Sequence, residues 1–238
     1  MLARHMGKLY VGTSGWSYTA WKGKFYPAEV KPDNMLAEYA RRLTAVEINS
    51  TFRHMPALGA FARWREAVPE GFRFAIKAPA VITHIRRLED AEVGVIRLVE
   101  RLTMLGETCG PVLLQLPDDM ELDLPRLGNF LEFLRPFKRL TAVEFRHQSW
   151  LDQQAFDLLR QFDVALCLTE TDESTTPLLP ASAFAYLRLR RTAYSSDELV
   201  GWRQRVQTLL EGGRDVYAFF RHEDEAAGPA YACQLLGS

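Results

Sequence analysis

Short apolar runs alternate along the chain with longer segments of helical periodicity. Eight runs rich in β-branched, aromatic and aliphatic residues predict strands, at 8–13, 44–49, 72–77, 111–116, 141–146, 163–169, 183–190 and 215–220. Apolar positions three and four residues apart predict helices, among them 34–42, 58–67, 92–105, 123–134, 153–161 and 197–211. Strands that are joined through helices run parallel. The pattern therefore predicts an α/β protein, with strand, helix and strand repeated eight times around a single (β/α)8 TIM barrel.

The alternative arrangement is an open, doubly wound sheet. Sheets of that kind that bind dinucleotides carry a GxGxxG turn after their first strand, and the segment GTSGW at 12–16 lacks the third glycine. No linker or shift in composition divides the 238 residues. The barrel is therefore expected to be one domain over residues 1–238.

Composition and charge limit the kinds of partner that the protein is expected to bind and the compartment in which it is expected to occur. The 29 Lys and Arg residues nearly balance the 30 Asp and Glu residues, so the net charge is −1 and no global basic field attracts nucleic acid. No apolar run approaches the ~18 residues that a membrane span needs. The three cysteines are widely spaced, as in a protein with reduced thiols. We expect a cytoplasmic protein that does not bind membranes.

Alternation within the strands predicts which side chains point into the barrel. On the second strand Val46 and Ile48 are apolar and should face the helices, so Glu47 should face inward. The same parity gives a polar inward set near the carboxyl ends of the strands: Glu47, Asn49, Lys77, Gln115, Glu144, Arg146, Arg188 and Arg190. Barrel interiors are normally filled by branched apolar residues. This set therefore predicts a ligand site at the mouth, with a purely structural ion-pair network as the alternative.

The loops after the strands add candidates for ligand contact. Ser14 and Trp16 follow the first strand, and His147 and Trp150 follow the fifth. His147 is a candidate general base or phosphate donor, with a helix-capping or rim histidine as the alternative. The indoles of Trp16, Trp21 and Trp150 are candidates to stack on a base or a sugar.

Several of these segments resemble one protein family. The runs are Gly12-Thr13-Ser14-Gly15-Trp16, Val46-Glu47-Ile48-Asn49-Ser50-Thr51-Phe52, Phe72-Arg73-Phe74-Ala75-Ile76-Lys77-Ala78-Pro79, Ile82-Thr83-His84, Leu114-Gln115-Leu116-Pro117 and Val143-Glu144-Phe145-Arg146-His147. They are similar to the family called domain of unknown function 72, or YecE-like, over about residues 8–236. The resemblance implies a TIM barrel whose activity is not established. Nucleic-acid binding has been suggested for the family because its fold is similar to that of endonuclease-four and xylose-isomerase barrels, which is an analogy of fold alone.

The chain departs from the common pattern of that family at two places near the mouth. Many members have Arg-Leu-His-Gly after the seventh strand, where this chain has Arg188-Leu189-Arg190-Arg191. Many carry an Asn-Asn pair after the eighth strand, where this chain has Arg221-His222-Glu223-Asp224. These changes indicate altered ligand contacts.

The candidate residues support several functions. In the first, Lys77, Arg146, Arg188 and Arg190 bind an anionic, phosphate-containing ligand, either a small molecule or nucleic acid. In the second, the protein is a metal-independent hydrolase or isomerase of a sugar-like substrate, in which Glu47 and Glu144 act as acid and base or nucleophile, assisted by Lys77. The third is a non-catalytic binding scaffold. No cofactor is expected; a divalent metal among His54, His84, His147 and His222 has no supporting ligand spacing.

Overall fold

The computed structural model describes residues 6–179, 181–223 and 225–237, and these form a barrel of eight parallel strands. In chain order the strands β1–β8 are Leu9–Thr13, Ala45–Ile48, Arg73–Lys77, Cys109–Gln115, Thr141–Glu144, Ala165–Glu170, Phe184–Leu189 and Asp215–Phe220. The helices α1–α7 are Met35–Ala40, Leu58–Glu66, Glu92–Thr103, Leu124–Leu134, Gln153–Gln161, Ser196–Glu211 and Ala227–Leu236. The predicted (β/α)8 architecture is confirmed.

The seam between β1 and β2 closes around a tyrosine hydroxyl. Tyr39, on α1, accepts a hydrogen bond from the Thr13 amide at 2.8 Å and donates one to the Ala45 carbonyl at 3.0 Å. Gly12 lies beside this point, and a Cβ there would stand 1.8 Å from the Ala45 oxygen. Past the tyrosine hydroxyl, towards the carboxyl ends of these strands, the Gly15 amide donates directly to the Glu47 carbonyl at 2.8 Å. The hydroxyl thus satisfies the backbone groups that the two strands do not pair with each other.

The predicted alternation of strand and helix is wrong at one connection. Between β6 and β7, the described residues of 171–183 form no helix. This segment contains Pro177 and Pro180 and a polar TDESTT run without helical periodicity, so it connects the two strands as a loop. Pro180 itself lies outside the described residues. No helix in the described part of the chain is both long enough and apolar enough to cross a membrane.

The interior of the barrel divides into two levels. The lower layer precedes the polar residues along the strands. It is apolar and aromatic and includes Tyr10, Ala45, Ala75, Leu113, Ala142, Ala165, Phe184 and Tyr217. Tyr10 and Tyr217 stack there with ring centroids 4.6 Å apart. Residues of opposite parity, such as Val46 and Ile76, are buried beneath the helices. The polar residues of the mouth lie directly above this filled layer.

Candidate functional site

The strand ends hold a connected set of charged and amide side chains. We call it the mouth network: Glu47, Lys77, Gln115, Glu144, Arg146, Arg188 and Arg190. All seven were predicted to face the barrel interior. The structure links them to one another through hydrogen bonds and ion pairs. Their roles in ligand binding or catalysis stay predictions.

Arg188, on β7, is the centre of the network. Its Nε and one terminal nitrogen each donate to Glu47 at 3.0 Å, and its other terminal nitrogen donates to Glu144 at 2.5 Å. All three side chains are almost fully buried. Burial alone would lower the pKa of Arg188, but the carboxylates of Glu47 and Glu144 outweigh burial and raise that pKa. Arg188 is therefore a permanent cation that joins two strands on opposite sides of the mouth.

Glu47, on β2, is surrounded by hydrogen-bond donors. Oε1 accepts from the hydroxyl of Ser14, the amide nitrogen of Asn49 and terminal nitrogens of Arg188 and Arg190; Oε2 accepts from the hydroxyl of Tyr186 and from Nε of Arg188. A carboxylate offers about four lone-pair sites, so these donors leave none for a substrate proton. This geometry makes Glu47 the group that positions Arg188 and Arg190, with Ser14 and Asn49 as its supports. The catalytic role predicted for Glu47 stays a prediction.

Glu144, on β5, has one oxygen that accepts no hydrogen bond. Oε2 accepts from Gln115 at 2.9 Å and from Arg188. Nε of Arg146 lies 2.7 Å from Oε1, but out of line for a hydrogen bond, so this buried oxygen accepts none from any described residue. Burial raises the pKa of Glu144, but Arg188 and Arg146 outweigh burial and lower it. Glu144 is thus an ionised carboxylate whose Oε1 is paired with Arg146 but accepts no hydrogen bond.

These two environments bear on the predicted pair of carboxylates. A glycosidase of that type needs one protonated carboxyl as general acid and one carboxylate. Here the guanidinium of Arg188 lies between Glu47 and Glu144 and bonds to both. The two carboxylates are thus bridged by a cation, and the acid, base or nucleophile roles predicted for the pair stay predictions.

Lys77, on β3, is bound to an uncharged partner. Its Nζ donates to Oε1 of Gln115 at 2.8 Å and lies 3.9 Å from the ring centroid of Phe52. Burial, and then repulsion by Arg188, lower the pKa of Lys77 to about 8, and the nearby carboxylates do not compensate. The mouth network as a whole contains four basic side chains and two carboxylates, so it carries an excess of positive charge.

A cavity of about 240 Å³ opens beside Glu144, between the ends of β5 and β6. Arg146 and His147 line one side of it. The other side is rich in hydroxyl groups: Thr169, Thr171, Ser174, Thr175 and Thr176. None of these five was among the predicted site residues. For the last four, the available signal was the run TDESTT directly after a barrel strand, but loops carry no periodicity that would show which residues face the mouth.

The ring of His147 is oriented by the loop that follows β5. Its Nδ1 accepts from the Ser149 amide at 3.3 Å and lies 2.8 Å from the Ser149 hydroxyl, which in turn accepts from the Leu122 amide at 2.8 Å. Because Nδ1 acts as an acceptor, the neutral ring carries its hydrogen on Nε2. His147 can therefore offer one N–H donor to a ligand in the cavity.

The predicted stacking of tryptophans on a ligand is wrong for two of the three indoles. Trp150 is fully buried, stacked on Phe145 at 4.7 Å, and its Nε1 donates to the Met120 carbonyl. Trp21 is likewise fully buried. Trp16 remains half-buried, with its ring centroid 5.5 Å from that of Trp64 in an edge-to-face contact. Both buried indoles pack loops against the barrel. Burial of rings this large contributes strongly to the stability of the fold.

Larger cavities lie away from the mouth. Their volumes are about 400, 420 and 260 Å³, and they are lined by residues within 88–133, by Met55 with residues within 79–101, and by residues within 131–164. None of the three includes a residue of the mouth network, and active sites of barrels lie at the carboxyl ends of the strands. No group of three or more His, Cys, Asp or Glu residues in the described ranges is arranged to hold a metal ion. Asp224 lies outside those ranges.

Comparison with known proteins decides the family. The model of the family described as "Protein of unknown function DUF72" matches residues 10–238. The chain belongs to the DUF72 family. The resemblance inferred from the sequence motifs is thereby confirmed, and so is the fold that it implied.

Individual relatives agree with this assignment. UPF0759 protein YecE of Escherichia coli K12 is 34% identical over 140 residues, which are 58% of this chain and 48% of that protein. The match thus spans about half the length of the curated relative. A DUF72 crystal structure from Thermotoga maritima has a TM-score of 0.84 at 26% identity, covering 97% of this chain and 98% of that one. D-psicose 3-epimerase from Clostridium cellulolyticum, solved with D-tagatose, has a TM-score of 0.60 at 12% identity, covers 97% of both chains, and shares the fold alone.

Proposed function

We propose that the mouth network of this DUF72 protein binds a small, phosphate-bearing, hydroxylated ligand such as a sugar phosphate. The observation that carries the proposal is the uncompensated positive charge. Lys77, Arg146, Arg188 and Arg190 share only two carboxylates, and the lowered pKa of Lys77 reflects burial and the repulsion between these cations. An anion at the mouth would relieve that repulsion, and arginine forks match the geometry of phosphate oxygens.

The unused acceptors favour hydroxyl groups on the same ligand. Oε1 of Glu144 and Oδ1 of Asn49 are buried, and neither accepts a hydrogen bond from a described residue. Buried acceptors of this kind cost free energy until a donor reaches them. Sugar hydroxyls are such donors, and the side chains around the adjacent cavity carry hydroxyl groups as well. The sugar-binding relative D-psicose 3-epimerase supports this ligand class through its shared fold.

Nucleic acid is the alternative anion. Its binding depends on basic residues spread along the backbone and on exposed aromatic platforms. Here the cations converge on one concave mouth, and Trp21 and Trp150 are buried in the core. A short phosphorylated ligand therefore fits this arrangement better than a long polyanion.

Equilibrium binding tests the proposal. Titration calorimetry at low salt would compare ribose 5-phosphate with ribose, using the wild type and Arg146→Ala. Because a hydrogen bond to a charged group contributes about 1.5–3 kcal/mol, we expect the phosphate ester to bind and Arg146→Ala to weaken it about 10- to 100-fold.

The control is Arg160→Ala, on α5. Its side chain is 42% exposed, against 44% for Arg146, and it too pairs with a carboxylate. We expect Arg160→Ala to leave the affinity unchanged. Absence of phosphate-ester binding at low salt, or equal binding by Arg146→Ala, would refute the proposal. Labelled DNA and RNA form a third arm, and tighter, steeply salt-dependent binding of these would favour the polyanion instead.

A further inference from the structure

We propose that Lys77 is a nucleophile that forms an imine with the carbonyl group of a phosphate-bearing aldehyde or ketone held at the mouth. This inference rests on the proposed function, because the phosphate directs the carbonyl to the lysine. It goes further by naming the reactive group of the ligand and the residue that it meets.

The hydrogen-bond partner of Lys77 is the first reason. Among the described residues, Lys77 forms no salt bridge, and its Nζ donates instead to the amide oxygen of Gln115 at 2.8 Å. The Gln115 amide nitrogen donates to Glu144, so the direction of this amide is fixed. A carboxylate partner would hold the lysine as an ammonium. An amide oxygen carries no full charge, so it favours the ammonium less than a carboxylate does, and it can accept from a neutral amine whose lone pair stays free.

The neighbouring cations are the second reason. A lysine becomes nucleophilic when it is desolvated or lies near another positive charge. Lys77 is half-buried, and Arg188 and Arg146 both act on it. The resulting pKa of about 8 leaves a substantial amine fraction near neutral pH, whereas an ordinary lysine has almost none. The Phe52 ring favours the charged form, so Lys77 is balanced between the two states rather than permanently neutral.

Position is the third reason. Lys77 is the last residue of β3, at the end of the barrel where Arg146 and Arg190 are available to hold a phosphate. Fixing the phosphate holds the carbonyl near the amine and replaces a bimolecular encounter with an intramolecular one. None of the other lysines lies in the mouth network.

The step balances without an added oxidant or reductant. The lone pair of the neutral Lys77 amine attacks the carbonyl carbon, a C–N bond forms, and the carbonyl π electrons move to oxygen. Nitrogen loses its two hydrogens and the oxygen gains them, so the C–O bond breaks and water leaves. The product is a C=N imine. In the test below, cyanoborohydride donates a hydride to the imine carbon and water supplies the proton on nitrogen, giving a stable secondary amine.

Reductive trapping tests this inference. D-glyceraldehyde 3-phosphate and unphosphorylated D-glyceraldehyde form a matched pair of probes. Each would be incubated with the full chain and sodium cyanoborohydride, and every labelled lysine would be mapped by peptide mass spectrometry. The chain has six lysines, so the other five serve as internal controls.

We expect the phosphorylated probe to label Lys77 about tenfold faster than any other lysine, because the phosphate raises its local concentration. The unphosphorylated probe should lose this preference, and inorganic phosphate should compete. Lys77→Arg should abolish mouth labelling while retaining a cation, whereas Lys22→Arg should change nothing. Labelling should rise with pH through about 8 as the amine forms.

The outcomes separate this inference from the proposed function. Ribose 5-phosphate binding without preferential labelling of Lys77 would overturn the imine and leave the proposed function standing. Equal labelling of Lys77 by both aldehydes would also overturn it, since the phosphate would then direct nothing. Failure of both binding and labelling would refute the proposed function and, with it, the imine.

Discussion

The lower layer and the mouth network stand on the same strands and share the same parity, two residues apart. Ala75 precedes Lys77, Leu113 precedes Gln115 and Ala142 precedes Glu144 along their strands. The lower residue of each pair is apolar, and the upper one is polar or charged. A distance of about 7 Å along a strand, or two residues, therefore separates the packed apolar layer from the side chains proposed to contact a ligand.

The two levels differ in how their energies arise. In the lower layer each side chain contributes by leaving water, so any set of suitable volume and shape would stabilise it. In the mouth network each buried charge costs free energy, and that cost is offset only by its particular partners. The lower layer is thus tolerant of the identity of its residues, whereas the upper level depends on each one.

Arg188→Met should give the largest effect, because it removes the one cation shared by Glu47 and Glu144. Breaking a buried ion pair from one side costs about 3–5 kcal/mol, so we expect a loss of that size in the free energy of unfolding. Urea unfolding followed by circular dichroism would measure it. Arg41→Met is the control, because its pair with Glu38 is exposed and should contribute less than about 1 kcal/mol.

A loss in Arg188→Met no greater than in Arg41→Met would contradict the view that the upper level depends on individual partners. If Arg188→Met yields no folded protein, Arg188→Lys keeps the charge but loses the planar fork. We expect Arg188→Lys to be intermediate in stability. The buried position of Arg188 also means that a substitution there would not isolate a ligand contact, which is why Arg146 is the better probe of binding.

Leu113→Ala tests the other side of the comparison. Leu113 is fully buried in the lower layer, and truncating a buried leucine costs about 2–5 kcal/mol through lost burial and the cavity left behind. We expect a loss near 3 kcal/mol by urea unfolding, with ribose 5-phosphate affinity within about twofold of the wild type. Leu140→Ala, at a partly exposed leucine, should lose far less stability. A Leu113→Ala variant that loses affinity as Arg146→Ala does would show that the two levels are not separable.

Much of this division could be predicted from the sequence, because strand parity is a strong constraint. Val46 and Ile48 on β2, like Val143 on β5, had to face the helices, so Glu47 and Glu144 had to face inward. Each strand alone thus placed its polar residue in the mouth. The convergence of Glu47 and Glu144 on Arg188 also depended on the barrel closing, which brings strands far apart in sequence to one centre.

The loops were less predictable. Trp150 follows a strand and has a ring suited to stacking, but only the packing of Phe145 and Met120 around it shows that it is buried. The hydroxyl of Tyr39 enters the β1–β2 seam from a helix, a contact that no periodicity indicates. The hydroxyl-rich side of the cavity likewise depends on the path of the loop after β6. In each case the missing information is a contact between distant segments, whereas sequence patterns describe neighbours within one element.

The smallest effect we expect is a pH dependence of ligand affinity that originates in Lys77. Its pKa of about 8 means that raising the pH through that value converts the ammonium to an amine and removes one of four positive charges from the mouth network. The phosphate ester is already fully ionised there, because its second pKa is about 6, so the ligand contributes no change. Calorimetric affinity for ribose 5-phosphate should therefore fall several-fold, by about 1 kcal/mol, between pH of about 7 and 9. Lys77→Arg keeps its charge throughout and should flatten the profile, whereas an unchanged slope in that variant would assign the titration to another group. The lower layer contains no charged side chain, so Leu113→Ala should retain the slope of the wild type.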